Sequence, residues 1–299
     1  MDFQIIITFT SKGGIGFFYL REPSTFIMKE TWFFLDTHKQ TPAYNMAVDE
    51  CLLNWHSENK IPPVIRFYEW LPAGLSIGYF QKTSNKIDLD AVNKNGFQLV
   101  RRLTGGRAVL HDQELTYSVI VSEQHSAMPR SIKEAYLVIS KGLKEGFRSL
   151  GINASFAIPE GKLDTTQSAV CFEEPSWYEL VVDGKKAAGS AQTRKKGVIL
   201  QHGSIPLNVD DSKLYDLFLY KNERVKQRAR EAFSDKAISI RQATPQKVTL
   251  HDMKAAFKKG FETGLDINLE SFTLNEKQEQ EINELMHQKY LNDKWNLSR

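Results

Sequence analysis

Only two cysteines, Cys51 and Cys171, occur in the 299 residues. So sparse a pair argues against a disulfide-built secreted scaffold and for a reducing, cytoplasmic setting, where a thiol serves packing or chemistry. No apolar run reaches eighteen residues, so no membrane span is expected. Charge of one sign is not in excess either. Lys and Arg number 39 against 36 Asp and Glu, a net +3, too little to imply a nucleic-acid partner and no obstacle to an acidic protein. There is no internal repeat, no low-complexity segment and no sustained heptad pattern, so a monomer is the default expectation. What remains is an ordinary globular composition, 41% hydrophobic and 25% charged, long enough for one large domain or two modest ones.

The first 27 residues read differently from the rest. Phe3 to Phe9 has strand character, and Ser11-Lys12-Gly13-Gly14-Ile15-Gly16 imitates the start of a phosphate loop. A working loop of that type continues with Lys and then Ser or Thr, to reach phosphates and metal. Phe17 and Phe18 stand there instead, so no nucleotide site is expected. A basic n-region and a small-residue cleavage site, the marks of a signal peptide, are also missing. Residues 1–27 are expected to be a disordered or loosely attached extension, with Met28 an alternative start.

From Glu30 strands and helices alternate. Trp32 to Leu35 predicts a strand, and Thr41-Pro42 then supplies a cap with Pro at the first helical position. Ala43, Met46, Ala47, Cys51 and Trp55 follow at helical spacing, which carries the helix to about Ser57. Val64–Tyr68, Leu75–Tyr79, Phe97–Val100 and Leu115–Val121 read as strands set off by Pro, Gly and Asn. Ser131 and Glu134 predict a capping box, with Ile132, Ala135, Tyr136, Ile139, Leu143, Phe147 and Leu150 on one face and Gly151 as the stop. Residues 177–208 predict a meander. Its strands are Trp177–Val182, Lys186–Thr193 and Val198–Leu207, its turns Asp183-Gly184 and Lys195-Lys196-Gly197. Past residue 210 the chain is helical and charged, ending in a helix capped by Asn275 and Gln278. The pattern is α+β, with mixed or antiparallel sheets flanked by helices. A catalytic domain over 28–250 and a helical C-terminal segment over 251–299 packed on it are expected.

Three stretches do not read as ordinary core or turn. In Arg101-Arg102-Leu103-Thr104-Gly105-Gly106-Arg107-Ala108-Val109-Leu110-His111-Asp112, adjacent glycines let backbone approach a ligand, and the arginines call for anionic or carbonyl oxygens. A glycine hairpin with solvated arginines has the same composition. Cys171 lies in a long irregular stretch from Ile158 to Pro175, of a length that is functional or mobile inside a compact domain, and an exposed thiol there can react. Cys51, on an apolar helix face, reads as a small buried hydrophobe. The third stretch is Lys186-Ala187-Ala188-Gly189-Ser190-Ala191-Gln192, followed by His202-Gly203. Alternation in a strand sends Lys185 and Lys186 to opposite faces, and the small residues after Lys186 permit close approach of a ligand. A solvated hairpin lysine is the plain alternative.

Together the Arg-Arg-x-Thr-Gly-Gly-x-Ala-Val-x-His-Asp and Lys-x-x-Gly-Ser-Ala-Gln segments resemble the lipoyl and octanoyl transfer family, which shares its catalytic-domain fold with biotin–protein ligases. The likeness covers roughly residues 30–250, and Cys-Phe-x-x-Pro-Ser-x-Tyr-Glu-Leu at 171–180 narrows it to octanoyltransferases. The resemblance implies octanoyl transfer from acyl carrier protein to a lysine of the glycine-cleavage H protein or another lipoyl domain, with no cofactor and no metal. It makes Cys171 the acyl-accepting residue and Lys186 the lysine at the acyl carbonyl. It places Arg102, Thr104, Gly105, Gly106, Arg107, His111, Gly189, Ser190, Ala191, His202 and Gly203 in the substrate-binding motifs. Ligases of the family carry a third small residue after the glycine pair, where Arg107 stands here.

An acyl group that arrives as a thioester is already activated, so transfer to an amine proceeds without ATP. A hydrophobic tunnel would select chain length. Two fewer methylenes would cost about 1.6 kcal/mol, roughly fifteenfold, while longer chains are rejected by a closed end. The rivals are an ATP-dependent lipoate ligase, an amidotransferase that takes octanoyl from H protein to E2 subunits, and a non-catalytic module that binds lipoyl domains.

Overall fold

The computed structural model describes residues 7–11, 14–18 and 29–298, apart from Asn85 and residues 158–178. Cys171 and the expected 158–175 loop therefore lie outside the described residues, as do Phe3 to Ile6, Trp177 and Tyr178.

In the N-terminal extension, strands β1 (Ile7–Ser11) and β2 (Gly14–Phe18) pair antiparallel. The strand character expected at Phe3 to Phe9 is met in part by β1, and Gly14 to Gly16 of the phosphate-loop imitation lie in β2. Strand β3 (Thr31–Gln40) is longer than its apolar start suggested and leads into α1 (Pro42–Ser57). Thr41 caps α1 by accepting from the Tyr44 N–H at 3.3 Å, and Pro42 occupies the first turn, where a missing N–H costs nothing. Strands β4 (Val64–Trp70) and β5 (Gly74–Ile77), helix α2 (Leu89–Lys94), and strands β6 (Gln98–Arg101), β7 (Val109–His111) and β8 (Glu114–Ser122) follow. Helix α3 (Ile132–Ser149) starts at Ser131, which accepts from Glu134 N–H, and stops before Gly151 at φ 72°.

Strands β9 (Ser155–Phe156), β10 (Leu180–Val182), β11 (Lys185–Lys195) and β12 (Val198–Pro206) complete the meander. Asp183-Gly184 and Lys196-Gly197 all have positive φ, the geometry that matches a two-residue hairpin to strand twist. Helices α4 (Asp211–Asp216), α5 (Glu223–Lys236), α6 (Ile240–Ala243) and α7 (Leu250–Leu265) come next. Strand β13 (Asn268–Ser271), helix α8 (Glu276–Leu285), a π-helical turn (Met286–Tyr290) and α9 (Asp293–Asn296) end the described chain.

The main sheet has the order β13-β3-β4-β8-β12-β11-β10-β9, and β6-β5-β7 form a smaller one. Strand β4 is buried along its whole length, so both faces of the main sheet are covered. On one face Ile65, Phe67, Tyr117 and Val119 pack against Ile139, Leu143 and Phe147 of α3 and Phe257 and Phe261 of α7. On the other Val64, Tyr68, Ile120 and Leu200 pack against Met46, Ala47, Leu52 and Trp55 of α1 and against Ile282 and Tyr290. The C-terminal region is thus more than the expected helical segment. It supplies a strand paired parallel with β3 and a helix in the central core. Sequence reading missed β13 because its four residues, Asn268 to Ser271, carry no alternating apolar face.

Helices α3 and α7 meet backbone to backbone. A Cβ on Gly260 would lie 2.3 Å from Gly146 N and 2.6 Å from Gly142 O. Gly260→Ala gains up to about 1 kcal/mol of helix propensity, but overpacking at such a contact costs about 1–3 kcal/mol. The expected result is a lower urea midpoint at unchanged slope; a midpoint raised above wild type would refute the close-contact argument.

Candidate active site

Facing residues of paired strands point to the same side of a sheet, so register alone builds two polar rows under α1. Arg66, Ser118, His202 and Ala191 stand opposite one another across β4, β8, β12 and β11. Tyr68, Thr116, Ser204 and Gly189 form the next row. Above the first row α1 sets Asp49, 1% exposed. Its carboxylate accepts from Arg66 Nη1 at 2.7 Å, Ser118 Oγ at 2.8 Å and Tyr68 OH at 3.2 Å, and lies 3.1 Å from His202 Nδ1. Arg66, fully buried, also donates to Thr37 Oγ1, Asn45 O and Asn45 Oδ1.

Burial works against the Asp49 charge, but the Arg66 guanidinium and the hydrogen bonds from His202 and Arg66 outweigh it and hold the carboxyl below its usual range. Burial, with Arg102 and His111 nearby, lowers the pKa of His202 despite the Asp49 partner. The ring is therefore neutral. His202 keeps its proton on Nδ1 and donates it to the Asp49 carboxylate, which leaves Nε2 to accept from Thr104 Oγ1 at 2.7 Å. Thr104 in turn accepts from Arg102 Nε at 3.2 Å.

A second chain of the same kind descends from the small sheet. His111 Nδ1 lies 2.6 Å from Glu114 Oε1, and its Nε2 lies 2.7 Å from Ser76 Oγ. Glu114 also accepts from Thr116 and Ser204, and Trp70 stacks on the His111 ring at 4.0 Å between centroids. Ser76 Oγ accepts from Arg102 Nη1 at 3.1 Å. Arg102 thus forks between two hydroxyls, each next to an imidazole whose other nitrogen faces a carboxylate. Its Nη2 donates to the carbonyls of Gly105 and Arg107, both at 2.8 Å. These carbonyl oxygens belong to the arginine's own loop, so Arg102 shapes the glycine segment. Glycine is needed at both positions: Gly106 has a φ of 93°, and a Cβ on Gly78 would lie 1.9 Å from the Gly106 carbonyl oxygen, so loop and strand end pass at backbone contact.

Between the two chains lies a cavity of about 50 Å³, lined by Arg102, Gly106, His111, Gly189, Ser190, Ala191, His202 and Gly203 together with Met46, Tyr68, Trp70, Ser76, Val109, Thr116 and Ser204. Eight of the residues singled out in the sequence therefore converge on one space. Thr104, Gly105 and Arg107 support it through the bonds just described. Lys186 does not line this cavity. It is 3% exposed, so the solvated-lysine alternative does not hold, and its Nζ donates to Glu179 Oε1 at 2.6 Å. Its carbonyl accepts from Ile238 N–H just past α5.

Sequence reading missed Asp49, Arg66, Ser76, Glu114 and Ser118. Two of these left a trace. Arg66 interrupts Val64-Ile65 and Phe67-Tyr68 in a strand, and Asp49 lies three residues after Met46 on the apolar face of α1. A charge among apolar residues signals a buried pair. Arg101, also fully buried, donates from Nη1 to the carbonyls of Gly78, Tyr79 and Gln81 and from Nη2 to Asn296 O. It thereby ties α9 to the turn beside the glycine loop.

Residues 41–262 match the family described as the lipoyl protein ligase A/B catalytic domain. The chain belongs to that family. Among its lipoyl protein ligase A/B relatives, Octanoyltransferase LipM of Bacillus subtilis (strain 168) is 55% identical over 278 residues, which is 91% of this chain and 100% of that protein. Octanoyltransferase LipM of Geobacillus kaustophilus (strain HTA426) is 58% identical over 276 residues, 91% and 99% of the two chains. A bi-partite lipoate protein ligase of Thermoplasma acidophilum superposes with a TM-score of 0.74 at 24% identity, covering 90% of this chain and 96% of that one. The α+β catalytic-domain fold expected from the sequence is the fold found. Among the described residues no helix is long and apolar enough to cross a membrane.

Proposed function

We propose that this chain is a protein N-octanoyltransferase. It moves an octanoyl group from octanoyl-acyl carrier protein, through a thioester on Cys171, to a lysine of the glycine-cleavage H protein. The observation that carries the reading is the match, at 52–58% identity and over essentially their whole length, to proteins that are themselves octanoyltransferases. The lining of the cavity suits it. Met46, Val109, Gly189 and Ala191 offer an aliphatic chain an apolar wall, while Ser76, His111 and His202 stand where a polar head would sit.

In the first step the Cys171 thiolate attacks the thioester carbonyl, and the carrier thiol leaves. In the second the acceptor amine, its ammonium proton given up to solvent, attacks the acyl-enzyme carbonyl; the C–S bond breaks, and the departing Cys171 thiolate takes up the proton that the nitrogen loses as the amide forms. Lys186, which pairs with Glu179 in the interior, would stabilise the tetrahedral oxyanion of both steps. Neither step consumes ATP. Intact-mass spectrometry after mixing the chain with octanoyl-acyl carrier protein, without ATP, tests this. A hydroxylamine-labile octanoyl adduct is expected. No adduct, with transfer appearing only on addition of ATP and free acid, would make the chain a ligase and overturn the proposal.

A further inference from the structure

The +3 net charge of the chain is not spread evenly. Lys221 to Lys236 contains six basic residues, Lys221, Arg224, Lys226, Arg228, Arg230 and Lys236, against Glu223, Glu231 and Asp235. The whole excess positive charge sits in this one segment, and the remaining residues balance. Nearly all of the segment is α5, which turns its inner side to the core. There Phe233 is 5% exposed and packs with Tyr215, Leu214 and Phe218. The outer side of its first two turns is different. Arg224 and Arg228 are one turn apart and exposed, Lys221 precedes the Asn222 cap, and Val225 between them is 42% exposed. Leu219, two residues before Lys221 in the chain, is 49% exposed. Lys226, by contrast, is engaged by Asp216.

This face is joined to the chemistry from behind. Phe233 lines a second cavity, of about 40 Å³, that shares Val109 and Ser204 with the first. Just past the helix, Ile238 N–H donates to Lys186 O at 3.0 Å. From Arg224 to Phe233 the helix rises roughly 14 Å at 1.5 Å per residue, a span that a donor held on a flexible prosthetic arm must bridge and a free small-molecule donor need not. We infer that the outer face of α5, Lys221, Arg224 and Arg228 around the exposed Val225, is the docking surface for an acidic carrier protein that presents the acyl thioester. The inference rests on the octanoyl-transfer reading above. A mainly basic patch, with Glu223 and Glu231 the exposed acidic residues of the same helix and Val225 exposed among the cations, fits the side of an acidic amphipathic helix, with the charges steering encounter and the aliphatic group adding short-range contact.

The test measures octanoyl transfer by the full chain from two donors, octanoyl-acyl carrier protein and octanoyl-pantetheine. Wild type is compared with the double variant Arg224→Glu/Arg228→Glu and with a control reversal on α8, Lys277→Glu. The double variant should raise KM for the carrier donor at least tenfold with kcat nearly unchanged, lose most of the dependence of that KM on salt, and use octanoyl-pantetheine as wild type does. The control should match wild type with both donors. An unchanged carrier KM in the double variant overturns the docking site while leaving the octanoyl-transfer reading intact. Equal loss with both donors also overturns it, because the helix would then act through folding. A wild-type chain that accepts octanoyl from neither donor overturns the reading itself and the docking site with it.

Discussion

Alanine in place of Cys171 is expected to leave a folded chain that forms no acyl adduct and transfers octanoyl at least ~10³-fold more slowly than wild type. Removal of a covalent nucleophile deprives both half-reactions of their path, and losses of three or more orders of magnitude follow where no second group can substitute. The other thiol is no substitute. Cys51 is 5% exposed on the inner face of α1, and burial, with Glu50 and Glu281 nearby, pushes its pKa up to about 12. It is therefore a neutral thiol at working pH, among Leu52, Trp55 and their neighbours. Cys51→Ala should keep full transfer activity and lower stability by about 1 kcal/mol, the usual scale of a small loss of packing. Single-turnover transfer and adduct mass, measured on both variants, check the pair. Wild-type transfer by Cys171→Ala, or an abolished adduct in Cys51→Ala, would remove Cys171 from the mechanism.

The second large effect concerns stability. Arg66→Met is expected to destabilise the fold by about 3–5 kcal/mol, because it leaves the Asp49 carboxylate buried without its cation. The side chains of Ser118, Tyr68 and His202 would still face that carboxylate, but hydrogen bonds from neutral groups do not replace a guanidinium in an interior of low dielectric. Equilibrium urea unfolding measures the loss, and a change below about 1 kcal/mol would show that the pair contributes little. The same network sets the pH dependence. His202 is held below its ordinary value near 6.5 and Asp49 below its ordinary value near 3.8. In each case the unfolded chain binds the proton more readily. Stability is therefore complete above about pH 6.5, falls as His202 protonation begins to favour the unfolded chain, and falls again below about pH 4. His202→Gln should remove the first fall and keep the second.

Much of this was legible in the sequence, and the reasons are local. Thr41-Pro42, Ser131 with Glu134, Asn275 with Gln278 and the Asp183-Gly184 turn are short-range devices whose partners lie within four residues, so the elements they start or join could be placed without tertiary knowledge. Strand β2, its pairing with β1, strand β13 and the π-helical turn at Met286–Tyr290 were not read, because pairing partners and packing, rather than propensity, define them. Glycine pairs, a lysine among small residues and two motif histidines also marked the site at the level of residue types. Eight residues of those motifs line one cavity, and Lys186 does not.

The amino-acid sequence by itself determined the family, the starts of the capped helices and eight of the residues that line the cavity. Family motifs are contiguous, and caps and turns are satisfied by near neighbours. Only the tertiary structure decided what those residues do for one another. Asp49 meets His202 across 153 positions and Arg66 across 17, Thr104 meets His202 across 98, and Arg101 reaches Asn296 across 195. No periodicity encodes such pairings. They exist because a buried charge or imidazole must be paired, and the register of β4, β8, β12 and β11 beneath α1 is what brings the partners within hydrogen-bond reach.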